Sequence, residues 1–392
     1  MVFCWPLQGR KEEELPKSKK TVIIAAGASG GHLFPAMAVA DQLKEKGYEC
    51  LFVGRAGQFS GIVKDAGYPL HDLPASPWNV KNPIKKIKAV FNLLRAFVAA
   101  FRLIHQHNAS VVFGTGGYAT VASMLAAKLA GVPTIVHEQN VLPGRANRFL
   151  SKWVDRVCLT YESSRHYLKF RDGVMTVTGN PIRKKVLSVK DEVRKDDGHF
   201  RIVIVGGSQG AKILSDVVPN TIKLLPYEIK KNIEIVQQCR AEDVNRVEAL
   251  YHAEDVQFTV QSFFEDLESH IKQCHLVIAR SGASTINEVS ILGRAAIYVP
   301  LRLADGHQLQ NAKVMENAGA AIVMEQNNFT PEKLASKIVE LYEDGVYLTK
   351  MEKAAQQMAQ IDAAEKISIE IEKLSEEDLL HLAKQVESER EK

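Results

Sequence analysis

Residues 21–32 read Thr21-Val22-Ile23-Ile24-Ala25-Ala26-Gly27-Ala28-Ser29-Gly30-Gly31-His32, an apolar, partly β-branched run that ends in a glycine-rich turn. The arrangement returns twice. Residues 110–113 lead into Gly114-Thr115-Gly116-Gly117-Tyr118, and residues 201–205 into Gly206-Gly207-Ser208-Gln209-Gly210-Ala211. Glycine lets a backbone approach a ligand closely, and a helix after such a turn presents free N–H groups and its positive dipole end. One turn of this kind is a weak signal. Three, in two halves of one chain, predict a cleft built to hold phosphates.

Outward from these turns, short apolar runs alternate with helical patterns twice over. The front half has them at 21–26, 50–54, 110–113, 134–137 and 157–160; the rear half has them at 201–206, 233–237, 256–260, 276–279 and 295–300. This alternation predicts parallel sheets covered on both faces, and 392 residues exceed a single core. The expected fold is α/β, with two Rossmann-like, doubly wound domains facing across a cleft. Ligands then lie at the carboxyl ends of the strands, where all three turns fall. We divide the chain into an N-terminal extension (1–20), a front domain (21–183), a rear domain (184–365) and a charged C-terminal tail (366–392). Residues 181–198, charged and closed by Asp196-Asp197-Gly198, read as the linker.

The net charge of +4 hides an asymmetry: residues 1–190 carry 27 Lys/Arg against 12 Asp/Glu, residues 191–392 carry 23 against 34. A basic front half suits anionic lipid or phosphate, and the acidic rear half argues against an extended nucleic-acid track. Five scattered cysteines without a Cys-x-x-Cys pair indicate neither a disulfide framework nor a zinc site. Residues 1–20 lack the apolar region of a signal peptide, and no long apolar stretch should span a membrane. A cytosolic chain is expected.

The first turn departs from the dinucleotide fingerprint, and the strand at 50–54 ends at Gly54-Arg55 without a ribose-binding acid, which disfavours a nicotinamide enzyme. His32 stands at a helix start, with Pro35 expected inside the first turn; it either caps that turn or faces a reaction centre. His137-Glu138-Gln139-Asn140 follows a strand, where a polar run is out of place in a core. Arg183, at Gly179-Asn180-Pro181-Ile182-Arg183, either reaches a phosphate or is a solvated hinge residue. Arg280-Ser281-Gly282-Ala283-Ser284-Thr285 opens a helix expected at 285–292, suiting a diphosphate or a simple N-cap. Glu288, one turn on, would accept ribose hydroxyls or pair with the helix dipole. Asp305-Gly306-His307-Gln308 and Asn311 are candidate readers of sugar hydroxyls. No Asp-x-Asp pair offers a divalent ion ligands, so no metal site is expected. Over residues 82–104, Ile84, Ile87, Val90, Phe91, Leu94, Phe97, Val98 and Phe101 recur at helical spacing among Lys81, Lys85, Lys86, Lys88, Arg95 and Arg102. Part of this stripe should cover the sheet. With Trp78 and the lysines, its front end fits an anionic lipid surface.

Taken in order, 27–35, 114–118, 137–140, 179–183, 206–211, 280–288 and 305–312 resemble the MurG family. Its members are peripheral membrane glycosyltransferases that add N-acetylglucosamine to the lipid-linked muramyl-pentapeptide of peptidoglycan. The resemblance covers roughly residues 21–360 and implies the glycosyltransferase fold named GT-B. It implies that Ser208, Phe264, Ala283, Ser284, Thr285, Ile286, Asn287 and Glu288 hold the uridine, ribose and diphosphate of UDP-N-acetylglucosamine. Gln308, with His307 beside it, would read the sugar, although His307 stands where some members have glutamine. Ser29, Gly30, Gly31, Asn140 and Arg183 would close on the donor, and the turns at Gly30-Gly31 and Gly116-Gly117 would face the acceptor's diphosphate. The family inverts configuration, so one in-line displacement is implied, with His32 the leading general base and Glu138 the alternative. No cofactor is expected, the nucleotide sugar being a substrate. The expected place is the cytoplasmic face of the plasma membrane. A UDP-N-acetylglucosamine epimerase, a transferase with another lipid acceptor, and a non-catalytic nucleotide-sugar-binding module are the competing readings. Nothing names a protein partner.

Overall fold

The run Thr21–Ala26 is buried along its whole length, as a strand covered on both faces must be. The computed structural model describes residues 20–27, 29–55, 57, 60–74, 82–169, 174–207, 210–302 and 306–390. The front sheet consists of β1 (Thr21–Ala26), β2 (Glu49–Gly54), β3 (Leu70–Asp72), β4 (Ala109–Gly114), β5 (Thr134–Glu138), β6 (Arg156–Leu159) and β7 (Val174–Val177), in the order β3-β2-β1-β4-β5-β6-β7. The rear sheet holds β8 (Phe200–Val205), β9 (Ile233–Gln238), β10 (Gln257–Gln261), β11 (Leu276–Ala279), β12 (Ala295–Tyr298) and β13 (Ala321–Val323), in the order β10-β9-β8-β11-β12-β13. Every described pairing is parallel, with helices between the strands, so both domains are doubly wound.

Strand order reverses between β1 and β4 and again between β8 and β11, and crevices open at such points. Ala25 pairs with Gly114 across β1 and β4, so the first two glycine turns leave the sheet side by side. The third leaves β8 at the rear crevice. Three strands carried no signal in the sequence reading: β3, β7 and β13 are only three or four residues long and lie at sheet edges.

Several expectations need correction. The helix after the first turn is Gly30–Glu45, which puts Pro35 past its first turn; lacking an N–H, Pro35 leaves the carbonyl of Gly31 without its usual helical partner. Residues 181–198 are no loose linker. They contain the helix Lys184–Val189 and are tied to the rear domain: Arg194 bonds Glu352 and the carbonyl of Cys274, and Lys272 bonds the carbonyl of Lys190. The segment from 366 does not start as a solvated tail. It lies in the helix Ala363–Arg390, whose Ile367, Ile371 and Leu374 are buried beside Val22, Ile24 and Leu33 of the front core.

The helix expected over 82–104 runs Pro83–Gln106, capped by the Asn82 side chain accepting from Ile84 N and Lys85 N. Its core-facing side is mostly small. Ala89, Ala96, Ala100, Leu103 and Ile104 are buried, with Phe97 and Phe101 packed at the edge. Ile84, Ile87, Val90, Phe91, Leu94 and Val98 are exposed instead, so most of the apolar stripe does not cover the sheet. Lys85, Lys86 and Lys88 are exposed with it, while Trp78 and Lys81 lie outside the described residues. Among the described residues no helix is long and apolar enough to cross a membrane. Cys50, Cys158, Cys239 and Cys274 are buried and free.

Candidate active site

The two front turns interlock around one imidazole. Gly116 and Gly117 have φ of +106° and +94°, which favours glycine, and a Cβ on Gly117 would stand 3.2 Å from Gly27 Cα. A Cβ on Gly27 or Gly116 would press on the His32 ring at 3.0 and 3.1 Å. His32 is not a cap. Its Nδ1 donates to the carbonyl of Thr115 at 2.7 Å, which leaves Nε2 of the neutral ring unprotonated. Burial lowers its pKa below the ordinary histidine value; the nearby Glu138 opposes the shift. Ser29 and Gly31, at the start of the same helix, are exposed, and Gly30 is buried between them.

Glu138 ends β5 with 1% exposure, and its carboxylate is fully engaged. Oε1 accepts from Asn140 N (2.9 Å) and Asn140 Nδ2 (3.2 Å); Oε2 accepts from Gly144 N (3.0 Å) and Asn147 Nδ2 (2.8 Å). Four donors on one carboxylate describe an anchor for the 138–144 loop. His137 behind it is fully buried, with Nε2 donating to Gly179 O at 2.9 Å; burial pushes its pKa down to about 4.

That loop fastens the two domains together. Asn311 accepts from Val141 N at 3.0 Å and donates to Asn140 Oδ1 at 3.0 Å, and His307 Nδ1 bonds Leu142 O at 2.6 Å. His307 is therefore turned toward the front domain, not toward the rear cleft. Arg183 also behaves differently from the expectation of a phosphate ligand. Its Nε donates to Glu288 Oε1 at 3.0 Å and its guanidinium lies 5.2 Å from the Phe34 ring centre, so the two groups assigned to diphosphate and ribose pair with each other.

The rear domain carries a cleft of about 590 Å³ lined by Gly206, Gly207, Gly210, Thr285, Gln308 and Arg280, among others. The helix Ala283–Ile291 points its N-terminus here, starting two residues earlier than expected. Gln308 Oε1 accepts from Leu301 N at 2.9 Å, leaving its Nε2 for a ligand. Ser284 Oγ is buried with no hydrogen-bond partner among the described residues. Ala283, Ile286 and Asn287 are buried, with Asn287 Nδ2 on Ala283 O, so this stretch can offer a ligand mainly backbone. Phe264 packs in the rear core against His270 and is not among the cleft-lining residues. Ser208 lies outside the described residues. Three cations stand in the lining, Lys212, Arg240 and Arg280; Arg280 heads the 280–285 motif read from sequence, though no role was given to its own side chain, while Lys212 and Arg240 were not singled out. Arg280 Nη1 is held by Val299 O and Gln326 Oε1, each at 2.9 Å. Arg240 packs on Gly210, whose Cβ it would block. Arg280 follows the end of β11 directly, whereas Arg240 belongs to no motif.

Two doubly wound domains beside a cleft have the GT-B fold, and the matches of both to glycosyltransferase family 28 make the chain a nucleotide-sugar glycosyltransferase. Residues 22–159 match the glycosyltransferase family 28 N-terminal domain, and 201–367 match the family 28 C-terminal domain. The chain belongs to the MurG family. It is 39% identical over 358 residues to the UDP-N-acetylglucosamine--N-acetylmuramyl-(pentapeptide) pyrophosphoryl-undecaprenol N-acetylglucosamine transferase of Methylobacterium sp. (strain 4-46), covering 88% of this chain and 95% of that one. The crystal structure of Acinetobacter baumannii MurG superposes with a TM-score of 0.73 at 32% identity, over 91% of this chain and 100% of that one. A putative UDP-N-acetylglucosamine 2-epimerase from Listeria monocytogenes shares the fold alone, at a TM-score of 0.64 and 16% identity over 90% and 96% of the chains.

Proposed function

We infer that the chain transfers N-acetylglucosamine from UDP-N-acetylglucosamine to the 4-hydroxyl of a lipid-linked muramyl-pentapeptide, releasing UDP. The observation that carries this reading is two unlike surfaces whose helices, Gly30–Glu45 and Ala283–Ile291, pack on each other: a rear cleft of cations and a helix N-terminus, and a front pair of glycine turns around an imidazole whose Nδ1 is held by Thr115 O. In the reaction the acceptor oxygen bonds to C1 of the sugar as the bond from C1 to the diphosphate oxygen breaks. The hydroxyl proton passes to His32 Nε2, and the electron pair leaves with UDP. Glu138, its lone pairs already filled, is better suited to favour the imidazolium by charge than to take the proton itself.

The diphosphate charge falls to Arg280, Arg240, Lys212 and the start of the helix Ala283–Ile291. Ser208, Phe264, Ala283–Glu288 and Arg183 remain proposed donor contacts, Phe264 and Ile286 through backbone. Arg183 and Asn140 reach the donor only by exchanging bonds they now make to Glu288 and Asn311. Gln308 reads the sugar through Nε2, while His307 holds the domains closed. Gly30-Gly31 and Gly116-Gly117 offer backbone to the acceptor's diphosphate. The exposed face of the helix Pro83–Gln106, apolar and edged with lysines, lies on the anionic leaflet at the cytoplasmic side. UDP-N-acetylglucosamine is a substrate, and no cofactor enters this reading.

UDP release tests it, measured with and without a lipid-diphosphate muramyl-pentapeptide and with no added metal. Acceptor-dependent release is expected. Donor turnover in the absence of acceptor would refute it in favour of an epimerase.

A further inference from the structure

We propose that Gln139 is a positioning residue for His32, holding the carbonyl that decides which ring nitrogen faces the acceptor. The inference rests on the reading of His32 as the base. Gln139 stands just past β5 and is 2% exposed. Its Nε2 donates to Thr115 O at 2.9 Å, the same oxygen that accepts from His32 Nδ1 at 2.7 Å. A carbonyl oxygen has two lone pairs, so both bonds form together. Nε2 also faces His137, with its Nδ1 and carbonyl oxygen both at 3.3 Å. His137 Nδ1 can accept there because its Nε2 carries the proton bonded to Gly179 O. These acceptors decide the amide's orientation: turned over, Oε1 would face two carbonyl oxygens with no hydrogen between them.

The peptide that Gln139 holds needs holding. Thr115 opens a turn whose next two residues are glycines in the left-handed region, and the hydrogen bond from Thr115 N to Ala25 O fixes the preceding peptide, not the one that carries this carbonyl. If the Thr115 carbonyl turned away, the imidazole would lose the acceptor that keeps its proton on Nδ1, and the free lone pair would no longer be confined to Nε2. Gln139 Oε1, by contrast, is buried without a hydrogen bond of its own, which an apolar residue would avoid. A hydrogen bond to the Gln139 side chain, which only Oε1 can accept, also favours the protonated imidazole. The titratable groups that face His32 are Glu138 and His137 from the end of β5 and His307 from the helix His307–Asn317.

The test compares kcat, both KM values and the pH profile of kcat for Gln139→Ala, Gln139→Glu, His32→Ala and the His32→Ala/Gln139→Ala pair, with thermal melting to confirm folding. Gln139→Ala should lower kcat by about tenfold and leave donor KM within about twofold, as a displaced reacting group does. Gln139→Glu adds a carboxylate beside the imidazole and should move the acid limb up by about one pH unit. In the His32→Ala background Gln139→Ala should cost nothing further. Gln139→Ala turnover within about twofold of the parent overturns the proposal, as does an unmoved acid limb in Gln139→Glu or a second tenfold loss in the double variant. Near-normal turnover in His32→Ala is a different failure, that of the base assignment beneath it.

Discussion

Replacing Ile84, Ile87 and Phe91 with serine should release the protein from anionic vesicles without unfolding it. The three side chains are 75%, 72% and 60% exposed on one face of the helix Pro83–Gln106. Full burial of such a side chain contributes about 1.5–3 kcal/mol, so at these exposures each has roughly 1–2 kcal/mol to gain from a lipid surface. Together they account for about 3–6 kcal/mol, a loss of about 10²- to 10⁴-fold in partitioning. Because they bury little in the folded chain, thermal stability should move by less than about 0.5 kcal/mol. Changing Lys85, Lys86 and Lys88 to glutamine removes about 1 kcal/mol each at low ionic strength, and this part fades with added salt. The assay is co-sedimentation with vesicles of anionic and of neutral lipid at two salt concentrations. A triple serine variant that partitions within about threefold of the parent would refute the argument, because the exposed face would then contribute nothing.

Three further outcomes are expected. His32→Ala should lower kcat by about 10²- to 10⁴-fold with donor affinity unchanged; in the parent, kcat should fall only as pH drops through a value below 6.5, since burial lowers the imidazole pKa and the base works unprotonated. Gly116→Ala forces a side chain into φ +106° and places Cβ 3.1 Å from His32 Cε1, so it should cost about 1–2 kcal/mol of stability and reduce kcat more than donor binding, read by melting and steady-state kinetics. His137, with a folded pKa of about 4 against 6.5 in the unfolded chain, leaves the unfolded state as the proton acceptor as pH falls. Its stabilising contribution is whole above pH 6.5 and declines toward pH 4, by about 2 kcal/mol between pH 7 and 5; urea unfolding that is flat over that interval would contradict it.

The inner strands were legible because burial on both faces demands an unbroken apolar run, and in Thr21–Ala26 or Leu276–Ala279 shortness, β-branched residues and a glycine-containing turn behind favour a strand over a buried helix. Their edge neighbours β3 and β13 pair on one side only and need just three residues, too few to leave a pattern. The helix Pro83–Gln106 was legible nearly to its ends, with part of its stripe on the sheet and its front end free, but not the alanines that make up most of its inward side. Helical spacing shows that large apolar residues share a face but not which face meets the sheet, and here the alanines do. Around the site, His32 and Glu138 stood out as polar groups after strands, but their division of labour depends on hydrogen bonds between turns 83 residues apart, as from His32 to Thr115. The Arg183–Glu288 pair and the His307–Leu142 clasp join elements over 100 residues apart, and no local pattern encodes them.

The helix Ala363–Arg390 leaves the rear domain and seals the front one, so the rear domain is in effect an insertion between two parts of its neighbour. During synthesis the front sheet emerges first yet must wait, with the surface around Val22, Ile24 and Leu33 uncovered, until Ile367, Ile371 and Leu374 have been made. The rear domain has all its strands before then. The last apolar residues of the described core therefore complete the first part to leave the ribosome, and nascent chains stopped before residue 374 should carry a finished rear domain beside an unsealed front one.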